Sequence, residues 1–412
     1  MTTTTDKQAI EDALAASWAE LDPNHTSLCL SCRELFLVRR PDGSASMTCP
    51  KCGAGPGIDC AKALATHVQY RKDVEAKALQ DEIDAATAAA PQSKPPLLDD
   101  VIGNAPAVLQ IRTALDGFRF VLNQPSAPKW LPFPHTVISS PGGLGKSMLA
   151  SIIARELKRK LHLQMGQTLK TPAKVAEALL ALRPGDILFI EECHDMPNTA
   201  QEALYLAMED GILIPVTKAG TALAKPVKVA PFTLIGATTD AFRLLPSMRQ
   251  RFQHHVQLSR LSPEELSKAM AQRAERSGWS VVPWAIEMIG ERALGTPRLA
   301  ITLLNECMTT ANASGGREID PETVRRTCEV WQIDSLGLDR VARQYLQILG
   351  DSGGGPVRLN VIASKLDGLN RITIERNIEP NLVYLGLIDK QANGRVLTQA
   401  GREHLQKESQ CE

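Results

Sequence analysis

A glycine-rich loop that ends in lysine and serine is the part of the chain best suited to bind phosphate. The stretch Ser140-Pro-Gly-Gly-Leu-Gly-Lys-Ser147 follows an apolar run at 136–139 and precedes a helical pattern at 148–155. In a strand–loop–helix context, glycines let backbone N–H groups approach phosphate oxygens, and the helix N-terminus adds its positive dipole. Lys146 would reach the β- and γ-phosphates of a nucleotide, and the Ser147 hydroxyl would bind Mg²⁺. The loop contacts predicted for the nucleotide come from Gly142, Gly143, Leu144, Gly145 and Met148.

Two carboxylates follow a second apolar run. The stretch Ile187-Leu-Phe-Ile-Glu-Glu192 has four apolar residues before Glu191 and Glu192. Continuous apolar runs are typical of parallel strands buried on both faces, and such sheets bind ligands at the carboxyl ends of their strands. Glu192 would polarise an attacking water molecule, and Glu191 would help to hold Mg²⁺. An acidic strand end without a ligand is the alternative interpretation.

Two positions depart from the usual phosphate-binding pattern. Ser140 replaces the first glycine of the loop motif, and a positive φ at that position would strain a serine. Glu191 stands where an aspartate usually helps to hold Mg²⁺, so its carboxylate is displaced by one methylene. A displacement of about 1 Å can slow a reaction roughly 10²-fold. The sequence therefore leaves open whether nucleotide hydrolysis by this chain is slow.

Five of the nine cysteines lie between residues 29 and 60, which favours a metal site in a reducing compartment over disulfides. Two Cys-x-x-Cys pairs flank a predicted hairpin, as in zinc ribbons with a closed tetrahedral site. The first possible ligand set is Cys29, Cys32, Cys49 and Cys52. A rival set, which resembles small fingers with three cysteines and one histidine, is Cys49, Cys52, Cys60 and His67. The residues leave both sets open, and inert thiols in a loop are the alternative to either.

Composition excludes a strong global attraction to nucleic acid or anionic lipid. Lys and Arg together number 46, as do Asp and Glu, so the formal net charge is zero. DNA binding would therefore be local or summed over several subunits. No apolar run approaches the roughly 18 residues that span a bilayer, and the N-terminus lacks a signal-peptide pattern. We expect a cytoplasmic protein with no membrane contact.

The remaining elements follow from periodicity. The segment 211–229 alternates around a glycine and predicts a hairpin, and 232–239 predicts another buried strand that ends in two threonines. Ser262 followed by proline predicts a helix start. After residue 336 the pattern predicts helices at 339–349, 359–366 and 372–385, and a hairpin at 388–397 that turns at Asn393-Gly394.

The order of several motifs resembles that of the RuvB family, the Holliday-junction branch-migration motors among the AAA+ ATPases. The resemblance extends over about residues 95–408 and leaves the cysteine-rich segment outside. Besides the phosphate-binding loop, the motifs are Leu97-Leu-Asp-Asp-Val-Ile-Gly103, Arg183-Pro-Gly-Asp-Ile-Leu-Phe-Ile-Glu-Glu192, Ala207-Met-Glu-Asp210, Pro231-Phe-Thr-Leu-Ile-Gly-Ala-Thr-Thr239, Met248-Arg-Gln-Arg-Phe252, Gly295-Thr-Pro-Arg298, Leu336-Gly-Leu-Asp339 and Gly353-Gly-Gly-Pro-Val357.

The resemblance implies roles that spacing alone does not. Sensor 1 would be Thr238 or Thr239, with Thr239 favoured. Arg251 would be the arginine finger, which reaches the γ-phosphate bound to a neighbouring subunit, and Arg298 would be sensor 2. Val101 and Ile102 would line the adenine pocket. The hairpin at 211–229 matches the element by which RuvB contacts its junction-binding partner RuvA.

The resemblance also implies a fold and a domain order. We expect an α/β AAA+ P-loop ATPase, with a parallel sheet flanked by helices, a helical lid, a C-terminal winged helix and a small N-terminal zinc ribbon or finger. Arg395 on the wing is the residue predicted to contact DNA phosphate, ahead of Arg371 and Arg376. The predicted segments are a flexible tail (1–23), the zinc module (24–72), a helix and linker (73–96), the large ATPase domain (97–257), the lid (258–335) and the winged helix (336–412).

The predicted function is ATP-dependent translocation of double-stranded DNA by a homo-oligomeric ring, expected to be a hexamer, in branch migration or a related recombination or repair step. ATP and Mg²⁺ would serve catalysis and Zn²⁺ the N-terminal module, and a RuvA-like partner is possible. One alternative is an AAA+ loader or remodeller of a protein partner on DNA, recruited by the zinc module. Another is a nucleotide-gated DNA-binding scaffold with weak hydrolysis.

Overall fold

The structure is a computed structural model. It describes residues 26–28, 35–37, 58–59, 96–128, 130–214, 226–366 and 369–411. The chain divides into two compact units, Met1–Gln92 and Ser93–Glu412.

The described part of the first unit is a small antiparallel sheet. Its strands are β1 (Thr26–Leu28), β2 (Leu35–Leu37) and β3 (Ile58–Asp59), in the order β2-β1-β3. The predicted tail at 1–23 and the linker residues before 96 lie outside the described residues. So do all the predicted zinc ligands, Cys29, Cys32, Cys49, Cys52, Cys60 and His67.

A five-stranded parallel sheet forms the centre of the second unit, in the order β10-β4-β9-β6-β5. This confirms the parallel sheet predicted from the apolar runs, because strands covered on both faces need apolar residues at successive positions. Its strands are β4 (Thr136–Ser139), β5 (Leu161–Met165), β6 (Ile187–Glu191), β9 (Thr233–Thr238) and β10 (His254–Gln257).

Helices cover both faces of this sheet. Successive strand residues point to opposite faces, so Phe189 joins one apolar core while Leu188 and Ile190 join the other. A 3-10 turn at Leu98–Asp100 precedes the first of these helices. The helices are α1 (Ala105–Leu122), α2 (Lys146–Glu156), α3 (Pro172–Leu180), α4 (Asn198–Asp210) and α5 (Pro246–Gln250).

The predicted hairpin at 211–229 is described only at its base. Strands β7 (Ile212–Leu213) and β8 (Val227–Lys228) pair antiparallel, with Ile212 opposite Lys228. Residues 215–225 lie outside the described part of the chain.

A helical segment follows the sheet and has its own apolar core. Ser262 Oγ accepts from the backbone N–H of Glu265 at 3.2 Å, while the Glu265 carboxylate accepts from the N–H of Ser262 at 2.9 Å. The predicted helix start is therefore confirmed as a capping box. The elements are α6 (Pro263–Arg276), β11 (Ser280–Val281), α7 (Pro283–Arg292), α8 (Pro297–Ala313), β12 (Glu318–Ile319) and α9 (Pro321–Val330).

The C-terminal segment is a winged helix, and its core includes Tyr345, Ile374 and Leu382. Its wing is completed by Val357, which bridges to Arg395 through two backbone hydrogen bonds of 2.9 and 2.8 Å. The elements are α10 (Arg340–Gly350), α11 (Leu359–Lys365), α12 (Arg371–Thr373), a π-helical turn (Ile374–Ile378), α13 (Glu379–Tyr384), β13 (Ile388–Gln391), β14 (Gly394–Leu397) and α14 (Gln399–Cys411).

Two details of this segment correct the sequence interpretation. The hairpin turns at Ala392-Asn393, because Gln391 pairs with Gly394. The closing helix α14 was not predicted. Its sequence is mostly polar, and a helix with so few apolar residues gives little periodic signal.

Among the described residues, no helix combines the length and the apolar character needed to cross a bilayer.

Candidate nucleotide-binding site

The phosphate-binding loop connects β4 to α2, as the sequence predicts. Lys146 is the first residue of α2 and is buried. Its Nζ donates to the carbonyl oxygen of Ser140 at 3.0 Å and to that of Pro141 at 3.3 Å. Burial lowers the pKa of Lys146, the nearby Glu192 carboxylate acts to raise it, and Arg298 acts to lower it. The ammonium group is thus held beside the loop, within the field of both carboxylate and guanidinium groups.

Ser140 does not strain the loop. It is absent from the described residues that adopt a positive φ, although it replaces a glycine of the usual motif. Its hydroxyl donates to the Pro141 carbonyl at 2.8 Å, and its backbone N–H donates to Thr238 O at 3.1 Å. Serine therefore fits this position, and the strain considered at the sequence level is not present.

A magnesium-type ligand pair is preformed at the carboxyl edge of the sheet. Ser147 Oγ donates to Glu191 Oε1 at 2.6 Å. The longer glutamate side chain therefore reaches the hydroxyl directly. A hydroxyl and a carboxylate are oxygen ligands of the kind that Mg²⁺ takes, so the residues present fit this ion.

The second carboxylate has a strained backbone and several partners. Glu192 adopts φ 47°, in the left-handed region that non-glycine residues rarely occupy. Its Oε2 accepts from the backbone N–H and from the hydroxyl of Thr239, both at 3.3 Å. Such strain clusters at functional sites. The turn at Glu192 gives its carboxylate a position separate from that of Glu191.

The two candidate sensor threonines face different partners. Thr239 is exposed and holds Glu192, whereas Thr238 is buried with its Oγ1 at 2.9 Å from His194 Nδ1. His194 also lies 3.3 Å from Glu192 Oε2 through the same nitrogen. Of the two threonines, Thr239 is the one whose hydroxyl contacts Glu192, and its contact with nucleotide stays a prediction. Sequence reasoning missed His194, although its position two residues after the acidic pair was a usable signal.

The lid contacts the phosphate-binding loop at the start of α8. The backbone N–H of Arg298 donates to Gly143 O at 3.2 Å. A Cβ at position 143 would come within 2.9 Å of Thr296 Cγ2 and 3.0 Å of Arg298 Cβ. Only a glycine permits this approach, because no space is left for a side chain. Arg298 therefore belongs to both the lid and the nucleotide site.

A cavity of about 600 Å³ lies between the loop, the segment after the 3-10 turn and the lid. It brings together the predicted nucleotide-binding residues of the loop, the segment after the 3-10 turn and the lid, but its lining does not include Thr238 or Thr239. Its apolar end includes Leu258, Leu261 and Met270, which sequence reasoning did not name. The predicted residues in its lining are Val101, Ile102, Gly142, Gly143, Leu144, Gly145, Lys146, Ser147, Met148, Glu191, Glu192 and Arg298.

Arg251 lies elsewhere. It follows α5 and forms an ion pair with Glu209 of α4, and both side chains are partly exposed. It is not among the residues that line the 600 Å³ cavity. An arginine on a different surface of the same chain is the arrangement needed to act on a neighbouring copy.

Arg395 is not on the open surface of the wing. Its side chain is 16% exposed, its Nε donates to Glu379 Oε1 at 2.8 Å, and its Nη2 donates to Glu375 Oε1 at 3.1 Å. Tyr345 donates to the same Glu379 oxygen at 2.9 Å. The geometry therefore gives Arg395 a role inside the winged helix and does not support its predicted phosphate contact.

Comparisons with known proteins agree with this geometry. Residues 94–258 match the family described as "Holliday junction DNA helicase RuvB P-loop domain", and residues 335–406 match "RuvB C-terminal winged helix domain". The chain is 35% identical over 344 residues to the Holliday junction branch migration complex subunit RuvB of Corynebacterium aurimucosum, which covers 83% of this chain and 92% of the relative. The RuvB subunit of Clavibacter michiganensis is 40% identical over 272 residues, or 66% of this chain and 75% of the relative.

Solved structures show the same similarity. The Thermotoga maritima RuvB Holliday junction branch migration motor aligns with 32% identity and a TM-score of 0.66, over 76% of this chain and 99% of that one. The two family models match from residue 94 onward, after the first compact unit.

Proposed function

Because this chain belongs to the RuvB family of AAA+ ATPases, we propose that it hydrolyses ATP to move double-stranded DNA in Holliday-junction branch migration. One observation carries the proposal. A loop lysine, a hydroxyl–carboxylate pair and a second carboxylate converge on one cavity that the lid also lines. This combination is needed both to hydrolyse a triphosphate and to couple the hydrolysis to movement of the lid.

Each group has a distinct part in hydrolysis. Lys146 binds the β- and γ-phosphate oxygens, and the loop N–H groups hold the remaining phosphate charge. Ser147 and Glu191 would hold Mg²⁺, which would supply positive charge beside the phosphates when bound. Glu192 orients water and accepts its proton, while Thr239 fixes the Glu192 carboxylate on the side that faces the γ-phosphate.

We further propose a homo-oligomeric ring, of six subunits by analogy with the family expectation, in the cytoplasm. The supporting observation is that Arg251 lies off the cavity of its own chain. A neighbouring subunit would supply this guanidinium to the γ-phosphate, where an arginine finger stabilises transition-state charge. Hydrolysis would then require assembly.

DNA would be held by the winged helix through its phosphates, with low sequence specificity. This segment carries 10 Lys and Arg against 9 Asp and Glu in residues 336–412, so binding by one copy is weak and several copies sum their contacts. Exposed Arg371 and Arg376 on the third helical segment fit this role better than Arg395. A RuvA-like partner would bind at the hairpin whose base is formed by β7 and β8.

The decisive experiment measures ATP hydrolysis and branch migration on a synthetic four-way junction, with and without a RuvA protein. We expect hydrolysis to be stimulated by duplex or junction DNA, and we expect branch migration of the junction to depend on ATP. Lys146→Ala serves as the inactive control. Hydrolysis without any junction movement would contradict the motor proposal.

The separate unit Met1–Gln92 supports a second candidate, an AAA+ loader that deposits a protein partner on DNA. In that case the same junction assay would give no migration, and a partner would be retained on DNA only with ATP. The scaffold alternative has less support, because Ser140 is unstrained and Glu191 reaches Ser147.

We also propose that the N-terminal unit binds Zn²⁺, on the spacing of its cysteines. Metal analysis of Cys29→Ser and Cys60→Ser distinguishes the ligand sets. Loss of zinc only from the first supports Cys29, Cys32, Cys49 and Cys52. Loss only from the second supports Cys49, Cys52, Cys60 and His67. Full zinc in both variants, or none in the wild type, would overturn both sets.

A further inference from the structure

Arg260 lies at the meeting point of three parts of the second unit. It sits between β10 and α6, in the segment that leaves the central sheet. Its Nη1 donates to the carbonyl oxygen of Leu294 in the turn before α8. Its Nη2 donates to Asn381 Oδ1 at 2.9 Å, in α13 of the winged helix. One guanidinium group thus contacts both the lid turn and the winged helix.

The contact with the winged helix has a second component. The guanidinium carbon of Arg260 lies 4.3 Å from the centroid of the Tyr384 ring, within the range of a cation–π interaction. Among the described residues, no carboxylate forms an ion pair with Arg260. The charge is therefore balanced by carbonyl and amide oxygens and an aromatic face. The strength of hydrogen bonds and of a cation–π contact depends on direction. The interaction of these groups with Arg260 therefore changes when the lid turn or the winged helix shifts.

The lid turn that Arg260 contacts is packed without free space. Gly295 has φ 71°, and a Cβ there would lie 2.8 Å from Arg260 Cβ and 3.1 Å from Tyr384 Oη. The backbone N–H of Leu261 also donates to Gly295 O at 2.9 Å. A displacement of this turn must therefore move Arg260 or Tyr384, because close-packed groups transmit strain.

The other end of the same turn contacts the nucleotide site. Arg298 follows Gly295 by three residues, and its backbone N–H donates to Gly143 O in the phosphate-binding loop at 3.2 Å. Thr296, between them, lies 3.4 Å from Arg260 Nη1 through its Oγ1. A continuous set of contacts therefore runs from Gly143 through the turn to Arg260 and on to Asn381.

We propose that Arg260 is a positioning residue that couples the nucleotide state of the phosphate-binding loop to the orientation of the winged helix. Nucleotide that moves Arg298 relative to Gly143 shifts the Leu294–Thr296 turn. Arg260 carries this shift to Asn381 and Tyr384, at the C-terminal end of the helical segment that we propose to face DNA. The inference rests on the proposed function for its consequence on DNA, but the coupling itself requires only nucleotide binding.

A purely structural role for Arg260 makes a different prediction. If Arg260 only stabilised the junction, its removal would loosen the winged helix equally with ADP, with an ATP analogue and without nucleotide. Coupling predicts that removal abolishes the difference between nucleotide states. Hydrogen exchange of the peptide containing residues 379–384 measures this difference directly in the full chain.

The test compares Arg260→Ala, Arg260→Lys and Tyr384→Phe with the wild type. Tyr384→Phe is the matched control, because it keeps the ring that faces Arg260. In the wild type and the control, we expect exchange at 379–384 to differ between ADP and a non-hydrolysable ATP analogue. Arg260→Ala should bind fluorescent ADP normally but lose this difference. Arg260→Lys keeps the charge without the planar fork and should lose most of it.

We expect the stimulation of ATP hydrolysis by DNA to be about tenfold smaller in Arg260→Ala than in the wild type, which corresponds to a typical coupling energy. Hydrolysis without DNA should be retained. An Arg260→Ala protein with the wild-type nucleotide-dependent exchange would overturn the inference. So would a wild type without any such difference. A wild type that shows the exchange difference but no branch migration would contradict the proposed function and leave the coupling supported.

Discussion

The hydroxyl of Ser147 and the carboxylate of Glu191 lie 2.6 Å apart, although 44 residues separate them in the chain. Ser147 is the second residue of α2, and Glu191 ends β6, which is separated from β4 by one strand of the sheet. The order of the strands in the sheet therefore brings these two residues together. Glutamate stands at this position, where aspartate is usual, and its extra methylene could have displaced the carboxylate. The short separation shows that the longer side chain still contacts Ser147 directly.

Ser147→Ala should reduce Mg²⁺-dependent ATP hydrolysis by roughly 10²-fold, because a lost ligand misplaces the ion and the phosphates. Nucleotide binding measured in EDTA should change little. The measurement is steady-state hydrolysis against Mg²⁺ concentration. Ser151→Ala is the matched control, since Ser151 Oγ donates only to the Ser147 carbonyl at 2.9 Å. Equal losses in both variants would contradict a ligand role for Ser147.

Glu192→Gln should bind ATP normally and reduce hydrolysis by roughly 10²–10⁴-fold, because an amide cannot accept the proton of water. The backbone turn at Glu192 should persist, since glutamine keeps the side-chain oxygen that Thr239 contacts. Single-turnover kinetics with preformed ATP complex separate binding from chemistry. Asp195→Asn provides a comparison, because Asp195 pairs with Arg243 outside the cavity. Undiminished turnover in Glu192→Gln would exclude the proposed base.

Arg251→Ala should bind ATP but lose about a thousandfold in hydrolysis, the effect expected of an arginine finger. Mixing it with Lys146→Ala should restore part of the activity, because some interfaces then pair an intact pocket with an intact arginine. Glu209→Ala is the control, since it removes the ion-pair partner of Arg251 and leaves the arginine in place. Full hydrolysis by Arg251→Ala alone would show that the site is not shared.

Glu379→Gln should destabilise the protein by about 3 kcal/mol at pH 7, because Arg395 would lose a fully buried ionic partner. Burial acts to raise the pKa of Glu379, but hydrogen bonds from Arg395, Lys390 and Tyr345 outweigh it and hold the pKa below its ordinary value of 4.5. The stabilisation is therefore present above pH 4.5 and is lost as the pH falls through the lower folded-state value.

Thermal or urea unfolding of Glu379→Gln and wild type between pH 7 and pH 3 checks this prediction. The stability difference between them should be constant near neutral pH and should narrow in acid. Glu375→Gln is the matched variant, since Glu375 contacts the same arginine at 3.1 Å but is exposed. It should cost less than 1 kcal/mol. A difference between Glu379→Gln and wild type that does not change with pH would contradict ionisation of Glu379 in the fold.

Much of the fold could be predicted because its signals are local. The apolar runs before Ser140 and before Glu191 are buried strands of one parallel sheet, and Ser262 caps its helix as expected. The closing helix α14 was missed because its sequence carries few apolar residues. The wing hairpin was predicted within one residue of its turn.

The orientation of Arg395 could not be predicted from local sequence signals. It lies on the predicted wing, but its guanidinium points into Glu379, 16 residues earlier in the chain. Nothing in the spacing of the hairpin says which strand face meets α13, because that depends on how the hairpin packs. Arg371 and Arg376, which had ranked below Arg395, are both exposed.

The sequence by itself determined the local chemistry: a phosphate-binding loop between strand and helix, two carboxylates at a strand end, and an arginine before an aromatic residue. These signals lie within short windows, where backbone propensity and apolar periodicity act. Only the tertiary structure decided which distant groups meet, such as Ser147 with Glu191 and Arg260 with Asn381. The physical reason is that strand order and helix packing set these contacts, and both are determined by the burial of the whole core rather than by any one segment.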